Sequence, residues 1–134
     1  MKILLDTHIL LWALSGDPRL PKRAAEEIGS PENTIVYSAA TLWEVETKHL
    51  AHPDKMAWGG DFLDFWCREA GYQPLEIRAA HISRLKDLRR PDDAPPHKDP
   101  FDRMLICQAE EEGMMLLTHD ALIAQYDAPC ILHV

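Results

Sequence analysis

Short apolar runs that end in a polar or acidic residue recur along the chain, and stretches of helical periodicity separate them. Lys2-Ile3-Leu4-Leu5-Asp6 is the first, the pattern of a buried parallel strand whose carboxyl end reaches the surface. Asp6 or Thr7 can cap a helix over 8–14, which Ser15-Gly16-Asp17-Pro18 breaks, and Pro21, suited to a first helical position, starts another through Ala24, Ala25 and Ile28. The β-branched and aromatic run 34–37 predicts a second strand, with Ser38 as N-cap of a helix over 39–50. His52-Pro53-Asp54 ends that helix. Trp58, Phe62, Phe65, Trp66 and Glu69 then recur at roughly helical spacing up to a stop at Gly71. A short third strand is expected within 72–77. From Arg78, the positions Ile82, Leu85 and Leu88 predict one amphipathic helix before a proline-rich connector, 89–96, that reads as a surface loop. Asp99-Pro100 opens a helix with apolar positions Phe101, Met104, Leu105 and Ala109 and a stop at Gly113. A buried strand over 114–117 runs into Thr118-His119-Asp120, and 130–134 forms a closing edge strand.

Strands alternating with helices imply an α/β architecture with a mainly parallel sheet covered on both faces. The 134 residues fit one domain, 1–134, and 46% apolar with 27% charged residues is a globular mix far from that of disordered chains. Cys67, Cys107 and Cys130 are odd in number and set among apolar residues. They read as reduced core thiols of a cytoplasmic protein, not as a disulfide framework or a zinc site. Asp6 and His8 interrupt any signal-peptide core, and the apolar run 9–14 is too short to span a bilayer, so no membrane association is expected.

Ligands of open parallel sheets bind beyond the carboxyl ends of the strands. Asp6 and Asp120 each follow an apolar run directly, Glu44 lies in the helix entered from the second strand, and Asp99 and Asp102 open the helix that leads to the strand before Asp120. All five acids can therefore converge at one rim. Clustered carboxylates repel one another unless they are protonated or bridged by cations, and oxygen-only ligation suits Mg2+ or Mn2+. The chemistry implied is metal-assisted phosphodiester hydrolysis without a covalent intermediate. The net charge of -8 counts against a nucleic-acid substrate when taken alone, but bound divalent cations reverse the local field where a phosphate would sit. Cys107 falls inside a helix, and neither a Gly-x-Ser-x-Gly elbow nor a phosphate-binding glycine loop is present.

Four blocks in order carry a resemblance: Leu4-Leu5-Asp6-Thr7-His8-Ile9-Leu10-Leu11-Trp12, Ser38-Ala39-Ala40-Thr41-Leu42-Trp43-Glu44, Asp99-Pro100-Phe101-Asp102-Arg103-Met104-Leu105-Ile106 and Leu117-Thr118-His119-Asp120. Through them the chain, nearly end to end, resembles the VapC toxins, the PIN-domain halves of prokaryotic type II toxin-antitoxin pairs. The resemblance implies a PIN-like three-layer α/β/α fold with a mainly parallel central sheet, and a Mg2+- or Mn2+-dependent endoribonuclease that cuts RNA. It implies inhibition by a VapB-like antitoxin and a homodimer. By the same resemblance Asp6, Glu44, Asp102 and Asp120 match the acidic metal and catalytic site, and Asp99 an additional acid. His119 stands where relatives often carry another polar or basic residue.

Each candidate also has a plainer reading. Asp6 can merely cap the following helix, Asp120 can begin an Asx-turn, and Asp99 with Asp102 at the third helical position has the layout of a capping box. Glu46 lies about 200° around the helix from Glu44, which makes Glu44 the ligand candidate and Glu46 the surface one. His8, His97 and His119 are possible general bases to which no catalytic role is assigned. Trp12, Trp43, Phe62, Phe65 and Trp66 are expected in core packing or a dimer contact. Arg84, Lys86, Arg89, Arg90, Lys98 and Arg103 are either phosphate contacts or an ordinary solvated face. Two rival functions are a signalling receiver domain, which needs a phosphoacceptor aspartate ending a central strand and a downstream strand-end lysine, neither of them expected in place, and a non-catalytic RNA- or partner-binding module.

Overall fold

Alternation of side chains along each strand divides the core into two layers on opposite sides of a five-stranded sheet. The computed structural model describes residues 1–134. Its elements are β1 (Lys2–Leu5), α1 (Thr7–Ser15), α2 (Lys22–Gly29), β2 (Thr34–Ser38), α3 (Ala39–Ala51), α4 (Gly60–Glu69), β3 (Gln73–Leu75), α5 (Ala79–Ser83), α6 (Pro100–Glu112), β4 (Met115–Thr118) and β5 (Ile131–His133). Short 3-10 turns lie at Leu85–Asp87 and Ile123–Gln125. Ile3 and Leu5 of β1, Ile35 and Tyr37 of β2 and Leu117 of β4 pack against α1, α3 and α4. The intervening Leu4, Val36 and Leu116 face the opposite way, onto Leu105, Ile106 and Ala109 of α6. Both faces being covered, the strands read as continuous apolar runs.

The sheet order is β3-β2-β1-β4-β5 and every pairing is parallel. β1 lies at the centre. The chain proceeds from it to β2 on one side and later returns to β4 on the other, so the strand order reverses at β1, where open α/β sheets form their ligand crevice. No helix is long and apolar enough to cross a membrane. The three cysteines are free, with Cys67 and Cys107 buried as expected and Cys130 partly so.

Two expectations are corrected. The single helix from Arg78 is instead the one-turn α5 followed by a 3-10 turn. Its inward side chain is His81, fully buried, while Ile82 is 52% exposed. His81 Nδ1 accepts the Arg78 N–H and its Nε2 meets Glu112 of α6, a polar anchor that hydrophobic periodicity cannot register. The connector 89–96 that follows is the surface loop expected, tied down where the Asp127 N–H donates to Arg89 O at 2.8 Å and the Arg90 guanidinium lies over the Tyr126 ring. The aromatic side chains of α3 and α4 are not core. Trp43, Phe62, Phe65 and Trp66 are exposed, as is Trp58 before them.

The helical pair α3 and α4 packs closely because Gly60 has no side chain. A Cβ there would stand 2.7 Å from the Leu42 carbonyl oxygen, and the Gly60 N–H donates to Glu46 Oε1 at 3.1 Å. Glu46 is therefore not the solvated surface residue expected of it; it holds the start of α4. Gly60→Ala is expected to force the helices apart and destabilise the fold by about 1–3 kcal/mol, seen as a lower urea midpoint. An unchanged midpoint would show that the contact is slack.

Candidate active site

Asp6 ends β1, the central strand, and is 3% exposed. Its backbone N–H continues the ladder to Leu117 O of β4, which fixes it beside that strand's end. Oδ1 accepts the Thr7 N–H at 2.8 Å, so the helix-capping reading is correct as far as it goes. Oδ2 points the other way and accepts the Thr118 hydroxyl at 2.8 Å. The same hydroxyl oxygen accepts the Asp120 N–H at 3.0 Å, so one threonine links the two strand-end acids. Asp120 Oδ1 accepts the Leu122 N–H, which is the Asx-turn foreseen as its plainer role.

Glu44, on α3 and 4% exposed, comes to the same rim. The Thr7 hydroxyl donates to its Oε1 at 2.8 Å. That spends the only proton Thr7 has, so the Thr41 hydroxyl 3.2 Å away is the donor to Thr7. Lys48, one helical turn along, reaches Glu44 Oε2 at 2.6 Å from a half-exposed position.

Asp99 and Asp102 divide the roles that the start of α6 offers. Asp99 Oδ1 accepts the N–H groups of Phe101 and Asp102, with Pro100 at the first helical position. The reciprocal half of a capping box is absent: Asp102 does not reach back to the backbone but places Oδ2 3.0 Å from Nε2 of His97. His97 Nδ1 lies 2.8 Å from the Tyr126 hydroxyl.

Electrostatics shows the convergence. Burial and the charges of Asp6, Asp99, Glu44 and Asp120 push the Asp102 carboxyl up from 3.8 to about 8. Burial likewise raises Asp6, against the Thr118 and Thr7 hydrogen bonds and the nearby His8, with Asp120 adding to the rise. Burial lowers His97, although Asp120 and Asp99 oppose that. The rim is thus a concentration of negative charge, with Lys48 the one ion-paired cation on these acids. No three His, Cys, Asp or Glu side chains form a preformed cation cage. Protein donors occupy both oxygens of Asp6 and of Glu44, whereas Asp99, Asp102 and Asp120 each keep one oxygen that no protein donor engages. Free hard-oxygen ligands in a field short of positive charge fit Mg2+ or Mn2+.

Of the other candidates, His8 stacks on Trp12 and His119 meets the edge of the same indole. Arg84 pairs with Glu110 and Glu111 of α6, away from a phosphate role. Arg103 makes no ion pair, and its buried Nε has no partner. Sequence reasoning missed Thr7, Thr41, Thr118, Lys48 and Tyr126. Only Thr7 and Thr118, each within two positions of a candidate acid, carried a signal. A cavity of about 280 Å³ opens between α1 and α4, lined by Leu11, Leu14, Met56, Trp58, Phe62 and Trp66 among others.

The PIN domain family model matches residues 3–129 of the chain. Among solved structures, one similar chain comes from VapBC2 of Rickettsia felis, bound to a DNA fragment from their promoter. It is 17% identical, with a TM-score of 0.68, covering 100% of this chain and 98% of that one. Another comes from VapBC-1 of nontypeable Haemophilus influenzae, 18% identical with a TM-score of 0.60, covering 93% of this chain and 91% of that one. At these identities the likeness is one of fold. No curated protein matches the sequence.

The Asp102 shift fixes the sign of a pH dependence. The folded state keeps a proton that the unfolded chain releases above 3.8, so stability falls as pH rises from there to about 8. Asp6 adds to this fall, and His97, lowered by burial, opposes it over the range where the unfolded imidazole still protonates. In metal-free buffer, thermal unfolding is expected at lower temperature at about pH 8 than at about pH 5, and Asp102→Asn is expected to flatten the difference. A wild-type stability that rises over this range would contradict the charge crowding. On the same helix, Asp99→Ala is expected to lose about 1 kcal/mol in urea unfolding and Asp99→Asn almost nothing, because the amide still caps.

Proposed function

The chain belongs to the PIN domain family, and from that membership we propose that it is, as a single domain over 1–134, a Mg2+- or Mn2+-dependent endoribonuclease. We propose further that it is the VapC-like toxin of a type II toxin-antitoxin pair. The observation that carries the catalytic part is the meeting of Asp6, Glu44, Asp102 and Asp120, with Asp99 beside them, at the carboxyl ends of β1 and β4.

In this reading Asp6, Glu44, Asp102 and Asp120 hold the cation, and Asp99, which caps the helix start through Oδ1, is a further ligand through its free Oδ2. A bound divalent ion supplies a Lewis acid for the phosphate and an acidified water as nucleophile. The protein keeps the carboxylates in place. Thr118 spans Asp6 and Asp120, and Thr7 spans the end of β1 and Glu44. Nothing in the chain competes as nucleophile at this rim, Cys107 being buried within α6 with its thiol pushed up to about 11 by that burial. The receiver-domain alternative meets only half of its requirement: contrary to the sequence expectation an aspartate, Asp6, does follow the central strand, but the other strands end in Ser38, Leu75, Thr118 and His133, and none in lysine.

A VapB-like antitoxin as partner is supported by the likeness to two VapBC structures and by the apolar cavity beside α1 and α4. A partner lying there runs along α1, whose first turn begins next to Asp6, so an extended segment can offer an arginine to the carboxylates. The proposal includes a homodimer, for which the exposed Trp43 and Phe65 are candidate contacts.

Purified protein is expected to cut single-stranded RNA with Mn2+ or Mg2+ and not with EDTA; full cleavage in EDTA would rule the mechanism out. Asp6→Asn and Asp102→Asn should remain folded and lose at least about 100-fold in rate, the upper end of what an outer-shell partner loses. RNA binding with no cleavage under any metal would favour a non-catalytic binding module instead.

A further inference from the structure

The start of α6 cannot by itself hold Asp102 at the rim. Asp99 accepts the first free N–H groups of the helix, including that of Asp102. The Asp102 side chain takes none of them and stands partly buried beside four other acids, with no helix-start donor to fix it. What it meets instead is His97, an imidazole 4% exposed, with Nε2 3.0 Å from Oδ2.

His97 is itself fixed from behind. Its Nδ1 is 2.8 Å from the Tyr126 hydroxyl, and the two rings meet edge to face with centroids 5.4 Å apart. Tyr126 is buried, and the Arg90 guanidinium lies 5.3 Å over its ring. The Asp127 N–H ties the same segment to Arg89 O. The connector before α6 and the turn after β4 thus clasp each other through Tyr126, and the clasp delivers one imidazole to one carboxylate.

Proton counting fixes the direction. The phenol has one proton and His97 as its only hydrogen-bond partner. An Asp102 that holds a cation is ionised and can only accept, so in that state Nε2 carries the ring proton and Nδ1 accepts from Tyr126; while Asp102 keeps its own proton the same two contacts can run in the opposite direction. We propose that His97 is the positioning residue of Asp102: backed by Tyr126, it donates Nε2–H to Oδ2 and so holds Oδ1 free toward a divalent cation. The inference rests on the metal-dependent reading above. Bonding of both ring nitrogens is what any buried histidine requires, as at His81; what sets His97 apart is that its acidic partner, Asp102, stands among the rim acids and keeps its other oxygen free.

The test is Mn2+ affinity, measured by calorimetry on the full chain without RNA, with urea midpoints as the check of folding. His97→Ala is expected to weaken Mn2+ binding by about 10–100-fold, the range for outer-shell partners of metal ligands. His97→Gln, whose amide can accept from Tyr126 and donate to Asp102, should recover most of that loss, and Tyr126→Phe should lose several-fold. A folded His97→Ala with wild-type affinity, or a His97→Gln no better than the alanine variant, overturns the inference while leaving the metal site standing. Should His97→Ala not fold, Tyr126→Phe decides: unchanged affinity overturns the proposal and a several-fold loss supports it. A wild-type chain that binds no Mn2+ overturns both this inference and the metal-dependent reading.

Discussion

Repulsion among carboxylates that the backbone forces together is the constraint on which the rest of this site depends. Asp6 cannot leave β1 without breaking the N–H bond that pairs it with β4, and β4 delivers Thr118 and Asp120 to the same edge. Burial makes the crowding severe, because water that would screen the charges is excluded. The surrounding hydrogen bonds are the local response: the Thr7 hydroxyl donates to Glu44, the Thr118 hydroxyl to Asp6, His97 meets Asp102, and Lys48 is the single cation close enough to pair. These contacts hold the geometry but leave Asp99, Asp102 and Asp120 with unused oxygens, and without a cation the crowding is relieved only by Asp102 keeping its proton up to about pH 8. A fold that maintains such crowding is suited to a ligand that brings positive charge.

The sheet explains why acids so far apart in sequence meet. With order β3-β2-β1-β4-β5 and all strands parallel, every strand ends on the same side. Reversal of the order at β1 opens the crevice, and the acids that follow β1 and β4 line it. Glu44 arrives through α3, which starts at the end of β2, and Asp102 through α6, which leads into β4. The two hydrophobic layers make this framework stiff, since Leu4 and Leu116 are locked on one face and Leu5 and Leu117 on the other.

Much of this was legible before any coordinates. Apolar runs ending in an acid identified β1, strand-end chemistry identified the rim, and the five acids named from sequence are those that act on one another. What was not legible is what periodicity cannot encode. The aromatic residues of α4 have helical spacing, but spacing alone does not say whether a face meets the core or the solvent, and Phe62, Phe65 and Trp66 meet solvent. His81 was hidden because a buried histidine looks polar in a hydrophobic pattern. His97 stands among the possible general bases with no role assigned, because the partner that backs it, Tyr126, comes from 29 positions along the chain. The angle of Glu46 from Glu44 predicts only a surface position, since its contact with the Gly60 N–H depends on the approach of two helices.

The central claim is that the acidic rim is a binding site for a hard divalent cation. Anomalous diffraction from a crystal soaked in Mn2+ tests it directly, because the signal locates the ion without reference to activity. The account requires a peak at the carboxyl ends of β1 and β4, about 2.0–2.3 Å from oxygens of the group Asp6, Glu44, Asp102 and Asp120. A well-ordered crystal with no peak at this rim, or with manganese bound only elsewhere, would contradict it.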